Sequence, residues 1–158
     1  WVSSLGPNNG TAGRGSVDVF VPAEGGGDFD PNRRLLLAGR PIFTAFSLLP
    51  GVPGGYLAYV PEQVGPGDRL HVLRVDGPGA PSVRLEPLGF EPAQCLNAHM
   101  LLIAPDGVSA QLICEGDQRG PGSFLWLDLP GRRVLGMAAT GVFPDGLALV
   151  PGTGAAQP

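Results

Sequence analysis

Apolar residues in this chain fall in short runs that tend to alternate with polar ones. The runs SVDVFVPA (Ser16–Ala23), LHVLRVDG (Leu70–Gly77) and FLWLDLPG (Phe124–Gly131) each end at a turn signal. Alternation over a few residues, closed by Gly, Pro or Asp, is the pattern of half-buried strands joined by tight turns. The three runs start 54 residues apart. Val17, Val19 and Val21 thereby correspond to His71, Leu73 and Val75, and to Leu125, Leu127 and Leu129.

The flanking segments recur in the same order. WVSSL (Trp1–Leu5), YLAYV (Tyr56–Val60) and AQLIC (Ala110–Cys114) precede the three runs. RRLLLAG (Arg33–Gly39), VRLEPLG (Val83–Gly89) and RRVLGMA (Arg132–Ala138) follow them. FSLLPG (Phe46–Gly51), LLIAPDG (Leu101–Gly107) and LALVPG (Leu147–Gly152) close each unit, and GPG recurs at Gly65–Gly67 and Gly120–Gly122. The spacing predicts an all-β single domain of three four-stranded repeats of about 54 residues, with units near 1–54, 55–108 and 109–158. Helical periodicity is faint and confined to Ala93–Ala104.

Two architectures use four-stranded repeats: blades of a β-propeller, and the leaves of a β-trefoil. The stretch Ser123–Gly154 resembles the repeat of YVTN-type and lactonase-like propellers, and Asn97–Asp117 looks like the inner hairpin of the preceding unit. That resemblance implies blades, not an activity. Propellers have at least four blades, so three units imply part of a longer propeller, or copies or a partner that complete a ring. The trefoil is the alternative, although the Trp-containing signature of lectin trefoils is absent.

Composition narrows the class. Hydrophobic residues are 43% and charged residues 15%, with 26 Gly and 18 Pro, which suits a packed core punctuated by turns rather than disorder. All ten basic residues are Arg, and the net charge is −4, which argues against a nucleic-acid partner. No apolar run is long enough to span a membrane. A chain starting at Trp1 without Met or a leader pattern is expected to be processed or trimmed. Cys95 and Cys114, without CxxC or a Cys/His cluster, predict one disulfide and an extracytoplasmic setting: secreted, periplasmic or cell-surface. Two free buried thiols are the other reading. Asn9–Thr11 matches a glycosylation sequon.

Candidate chemistry is sparse. Aligning the units on Pro50, Pro105 and Pro151 puts Thr44, His99 and Asp145 at equivalent positions, where inner strands of a propeller begin. His and Asp there would serve as an acid/base pair or as two metal ligands. Otherwise Asp145 and Asp106 are turn formers before Gly. Glu115 and Asp117 read as solvated loop carboxylates. His71 reads as partly buried, without a neighbour of the right type. Trp1, Trp126, Tyr56 and Tyr59 are candidate contact aromatics. No G-x-S-x-G, H-E-x-x-H or P-loop occurs. The residues require no cofactor; a metal ion at His99 and Asp145 is the candidate, and His71, His99, Met100 and a reduced cysteine could also gather one, though the spacing does not require it. The expected function is a non-catalytic binding module, such as a subunit of a cell-envelope or surface assembly, with a protein partner or self-association. The alternatives are an enzyme using His99 and Asp145, lactonase-like or a metal-dependent redox protein, and a carbohydrate-binding trefoil lectin.

Overall fold

The structure, a computed structural model, describes residues 2–4, 15–23, 26–65, 67–77 and 80–148. Trp1, the sequon at 9–11 and most of the last repeat segment, 149–152, lie outside the described residues. All thirteen described elements are strands, and no helix forms among the described residues. The faint helical stripe at 93–104 is overridden: residues 92–94 make a turn and the rest leads into a strand. A stretch of about twelve residues is marginal for a helix without tertiary support, and here its second half is taken by pairing with β11.

The strands form three antiparallel sheets. The first is β1 (Val2–Ser4), β2 (Ser16–Ala23) and β3 (Gly26–Leu36), paired in that order. The second holds β4 (Arg40–Pro41), β5 (Ala45–Leu48), β6 (Tyr56–Gln63), β7 (Arg69–Val75), β8 (Ser82–Arg84) and β9 (Leu88–Gly89). Its spine is β4-β6-β7-β8, with β5 also on β6 and β9 also on β7. The third is a meander of β10 (Ala98–Ile103), β11 (Ser109–Cys114), β12 (Pro121–Asp128) and β13 (Arg133–Val142). None of the three closes into a barrel. The expected strand in VRLEPLG is split into β8 and β9, with Glu86 and Pro87 off the ladder and Leu85 N still donating to the Val72 carbonyl at 2.9 Å. Pro87 has no N–H to give a ladder, so a continuous strand cannot run through it.

The β6–β7 pair at the centre of the second sheet is buried on both faces, and its register shows how. Ala58 faces Leu73, and Val60 faces His71 across β6 and β7. Ala58, Val60 and Leu73 pack with Val17 and Leu37 of the first layer. The alternate positions Leu57, Tyr59, Leu70 and Val72 point the other way, into a cluster with Ala98, Leu101, Leu112, Leu125 and Leu127 of the third sheet. Side chains in a strand alternate between faces, so a two-sided core demands apolar residues at nearly every position. At roughly 1.5–3 kcal/mol per fully buried Leu or Val, these two layers dominate the stability.

Two carboxylates are nonetheless buried in this sheet, and each is satisfied. Asp68, fully buried in the β6–β7 turn, accepts hydrogen bonds from Val64 N at 3.0 Å and Ala98 N at 2.6 Å. It therefore ties the central sheet to the start of β10. Burial pushes its carboxyl pKa up, against the opposing pull of these backbone N–H groups. Glu62 accepts from Gly39 N at 2.7 Å and pairs with His71 Nε2 at 2.5 Å. This corrects the expectation that His71 lacks a suitable neighbour: Glu62 sits on the adjacent strand, nine residues away. Gly39 cannot be replaced easily, since a Cβ there would meet the Gln63 carbonyl oxygen.

Burial would push the Glu62 carboxyl up, but the bonds from His71 and Gly39 outweigh it and hold the pKa below the ordinary value. A depressed carboxylate stabilises the fold above its ordinary pKa, and that stability is lost as the pH falls through the lowered one. Asp68, with a raised pKa, takes up its proton first in the folded state and acts in the opposite sense. Removing Glu62 leaves the buried His71 ring and the Gly39 N–H without their acceptor, at a combined cost of about 2–6 kcal/mol. Glu62→Ala is therefore expected to lower the free energy of unfolding by that amount at neutral pH, and by less in acid. Urea denaturation at the two pH values measures both.

Candidate functional site

His99 lies one residue into β10, at an irregularity of the ladder. Ala98 faces Cys114 and Leu101 faces Leu112, so the register shifts between them and β10 carries one residue too many. Such a bulge bends the strand and re-aims a side chain. Asn97, just before, has φ 58°, a left-handed conformation that Asn tolerates better than most residues. Its side chain donates to the Gly116 carbonyl at 2.8 Å, and its own carbonyl accepts from Glu115 N at 3.0 Å. The bulge and this clasp set His99 beside the residue that follows β11.

That residue is Glu115. It is buried, with a side chain 8% exposed, which corrects its reading as a solvated loop carboxylate. Proximity to Cys114 is the reason: the Cys95–Cys114 disulfide, with Cα atoms 5.3 Å apart, holds the 91–97 segment over the end of β11. Asp145 arrives from the other side. The chain leaves β13 through Phe143 at φ 54°, a conformation unfavourable for a bulky side chain and found where the surroundings enforce it.

His99 Nδ1 stands 3.1 Å from Glu115 Oε1 and 3.3 Å from Asp145 Oδ1. The three ligand atoms lie within 4.8 Å of one another. Nδ1 is buried, and neither carboxylate is aligned to accept a hydrogen bond from it. Glu115 Oε2 is held by Gln118 Nε2 at 2.9 Å, which leaves Oε1 for the cluster. Ligand bonds of about 2.1 Å at 90–109° put neighbouring donor atoms roughly 3.0–3.4 Å apart. The two measured separations fall in that range.

The structure thus brings His99 and Asp145 together, as the repeat alignment expects, and adds Glu115. Only the proximity of Glu115 to Cys114 hinted at this in the sequence. Thr44 is engaged elsewhere, with Ser3 Oγ at 2.9 Å, and makes no hydrogen bond to the three. Asp106 forms the expected turn, accepting from Val108 N and Ser109 N, both at 2.9 Å.

Of the contact aromatics, Trp126 is exposed. Tyr59 is only 3% exposed, which corrects its assignment to the surface: it belongs to the inward set on β6. It lines, with Leu48, Leu57, Val72, Val108 and Leu129, an apolar groove of about 280 Å³ between the second and third sheets. Tyr56 is half-buried, edge-on to Phe46.

The disulfide closes a loop between positions 19 residues apart, a size for which about 3 kcal/mol is expected. Cys95→Ser with Cys114→Ser is predicted to lower stability by that amount in urea unfolding, and reduction of the native protein to do the same. Comparison with family models, with curated proteins and with solved structures finds no match for this chain.

Proposed function

We propose that this chain is a binding module of blade-type β repeats from an extracytoplasmic protein, and that it recognises its ligand through a divalent cation held by His99, Glu115 and Asp145. One observation carries the cation: a buried imidazole nitrogen faces two carboxylate oxygens, with no hydrogen bond to satisfy it. With its proton on Nε2 the imidazole presents a lone pair at Nδ1, and three such donors at this range repel unless a positive charge sits between them. One imidazole and two carboxylates suit a first-row divalent ion such as zinc.

The strand pattern supports blades. From the second sheet to the third, β10 begins 53 residues after β5 (Ala45 to Ala98), and β11 begins 53 after β6 (Tyr56 to Ser109). The stacked open sheets favour blades over a trefoil, whose strands close into a barrel. A ring needs more than three blades, so further sheets would come from a partner, a second copy or additional chain. The face of the third sheet bearing Trp126, which is 46% exposed and packs edge-on against Phe124, is where such a sheet would stack. The disulfide supports the oxidising compartment. A hydrolytic reading draws on Asp145, whose side chain is 71% exposed, because an open coordination position admits an activated water.

Isothermal titration with zinc, manganese and calcium ions tests the cation. One ion per chain is expected, zinc tightest. His99→Ala and Asp145→Asn should each weaken zinc by at least about tenfold, the loss that even supporting residues of a metal site produce. Equal zinc affinity in the native protein and His99→Ala would overturn the proposal.

A further inference from the structure

A second polar cluster lies between the first and second sheets, apart from the cation site. His71 and Glu62 are fully buried there, at 0% and 1% side-chain exposure. Arg84 Nη2 lies 3.0 Å from His71 Nδ1. A guanidinium has no acceptor, so it is the donor and Nδ1 carries the lone pair. The ring proton is therefore on Nε2, donated to Glu62 Oε2. Glu62 Oε1 is taken by Gly39 N. Both oxygens of this carboxylate are thus occupied from within the fold, and neither forms an ion pair with an arginine among the described residues.

Beside this arrangement is a cavity of about 290 Å³, lined by Leu36, Leu37, Ala38, Glu62, Arg69 and Arg84. Arg84 spends one donor on a neutral imidazole and makes no ion pair among the described residues. Arg69 feels Glu62 electrostatically, but it too makes no ion pair among the described residues. The surface arginines Arg74 and Arg133 instead meet Asp76 and Asp128 directly. Two guanidinium groups and one internally engaged carboxylate leave the cavity locally positive in a chain of net charge −4.

We propose that this cavity binds a small oxyanion, a carboxylate or phosphate group, between Arg69 and Arg84, with the Glu62–His71 pair positioning Arg84. Planar guanidinium forks match the two-oxygen edge of such groups and hold them by charge-assisted hydrogen bonds. The neutral Nδ1 acceptor fixes Arg84 without neutralising it, as an ion-paired carboxylate would. Glu62 limits the site to a compact ligand, since its charge repels an anion that reaches past the arginines.

Titration with inorganic phosphate and with acetate, against chloride at equal ionic strength, tests this. Binding is followed by calorimetry and by the Nε–H resonances of the arginines. Phosphate or acetate, but not chloride, should shift Arg69 and Arg84, and the stronger of the two identifies the ligand group. Arg69→Ala and Arg84→Ala should each weaken binding at least tenfold; both side chains are exposed, so the fold should survive. Arg84→Lys, which keeps charge but not the fork, should retain only part of the affinity. Arg74→Ala should leave it unchanged. No binding of either anion, an equal response to chloride, or equal losses in Arg74→Ala and Arg84→Ala would overturn the proposal.

Discussion

A sheet buried on both faces has no side on which to leave a polar group in water. In this protein that constraint governs the central sheet. It explains why β6 and β7 are apolar at nearly consecutive positions, and why the buried carboxylates in and beside them are tied off. Asp68 is engaged by backbone N–H groups of two segments, and Glu62 by Gly39 and His71. An unsatisfied buried carboxylate would cost several kcal/mol, so these bonds also fix how the layers meet. Asp68 sets the start of β10 against the central sheet. Glu62 sets the corner after β3 against it.

The two candidate sites follow from those ties. His99 is the residue immediately after Ala98, whose N–H is held by Asp68. The same short stretch contains the bulge, the left-handed Asn97 and the disulfide partner of Cys114. Each device constrains the backbone near one imidazole, so the geometry of His99 and Glu115 is inherited from the packing of the second and third sheets. The oxyanion cavity is the counterpart at the opposite interface. There the buried pair orients an arginine from β8, and the solvent-facing ends of Arg69 and Arg84 are left for a ligand. Stability and recognition share residues at both places, which is economical but couples them: changes that loosen a layer will move the site it supports.

Much of the strand order could be read from alternation and turn chemistry. LHVLRV and FLWLD became β7 and β12, AQLIC became part of β11, and the Asp106 turn formed where Asp-Gly indicated. His99 and Asp145 do meet, although Asp145 lies outside any strand and Thr44, at the third aligned position, is held by Ser3. Glu115 was misjudged because its sequence neighbourhood, Gly and Asp, looks like an exposed loop; the disulfide and the Asn97 clasp bury it. Tyr59 reads as a surface aromatic because a short alternating run does not reveal which face is covered. Glu62 and His71 were missed as a pair for a related reason. Nine residues apart, they meet only once a hairpin fixes the register of β6 on β7.

By itself, then, the sequence determined the element type, the strand periodicity, the cysteine pairing and the pair of residues at one candidate site. These depend on local propensity and on spacing along the chain. The tertiary structure decided which faces are buried, which carboxylates are shielded from water, and where arginines lack an acidic partner among the described residues. Those properties depend on what lies across a sheet or in the next layer, and one strand's alternation is the same whether its second face meets solvent or another sheet.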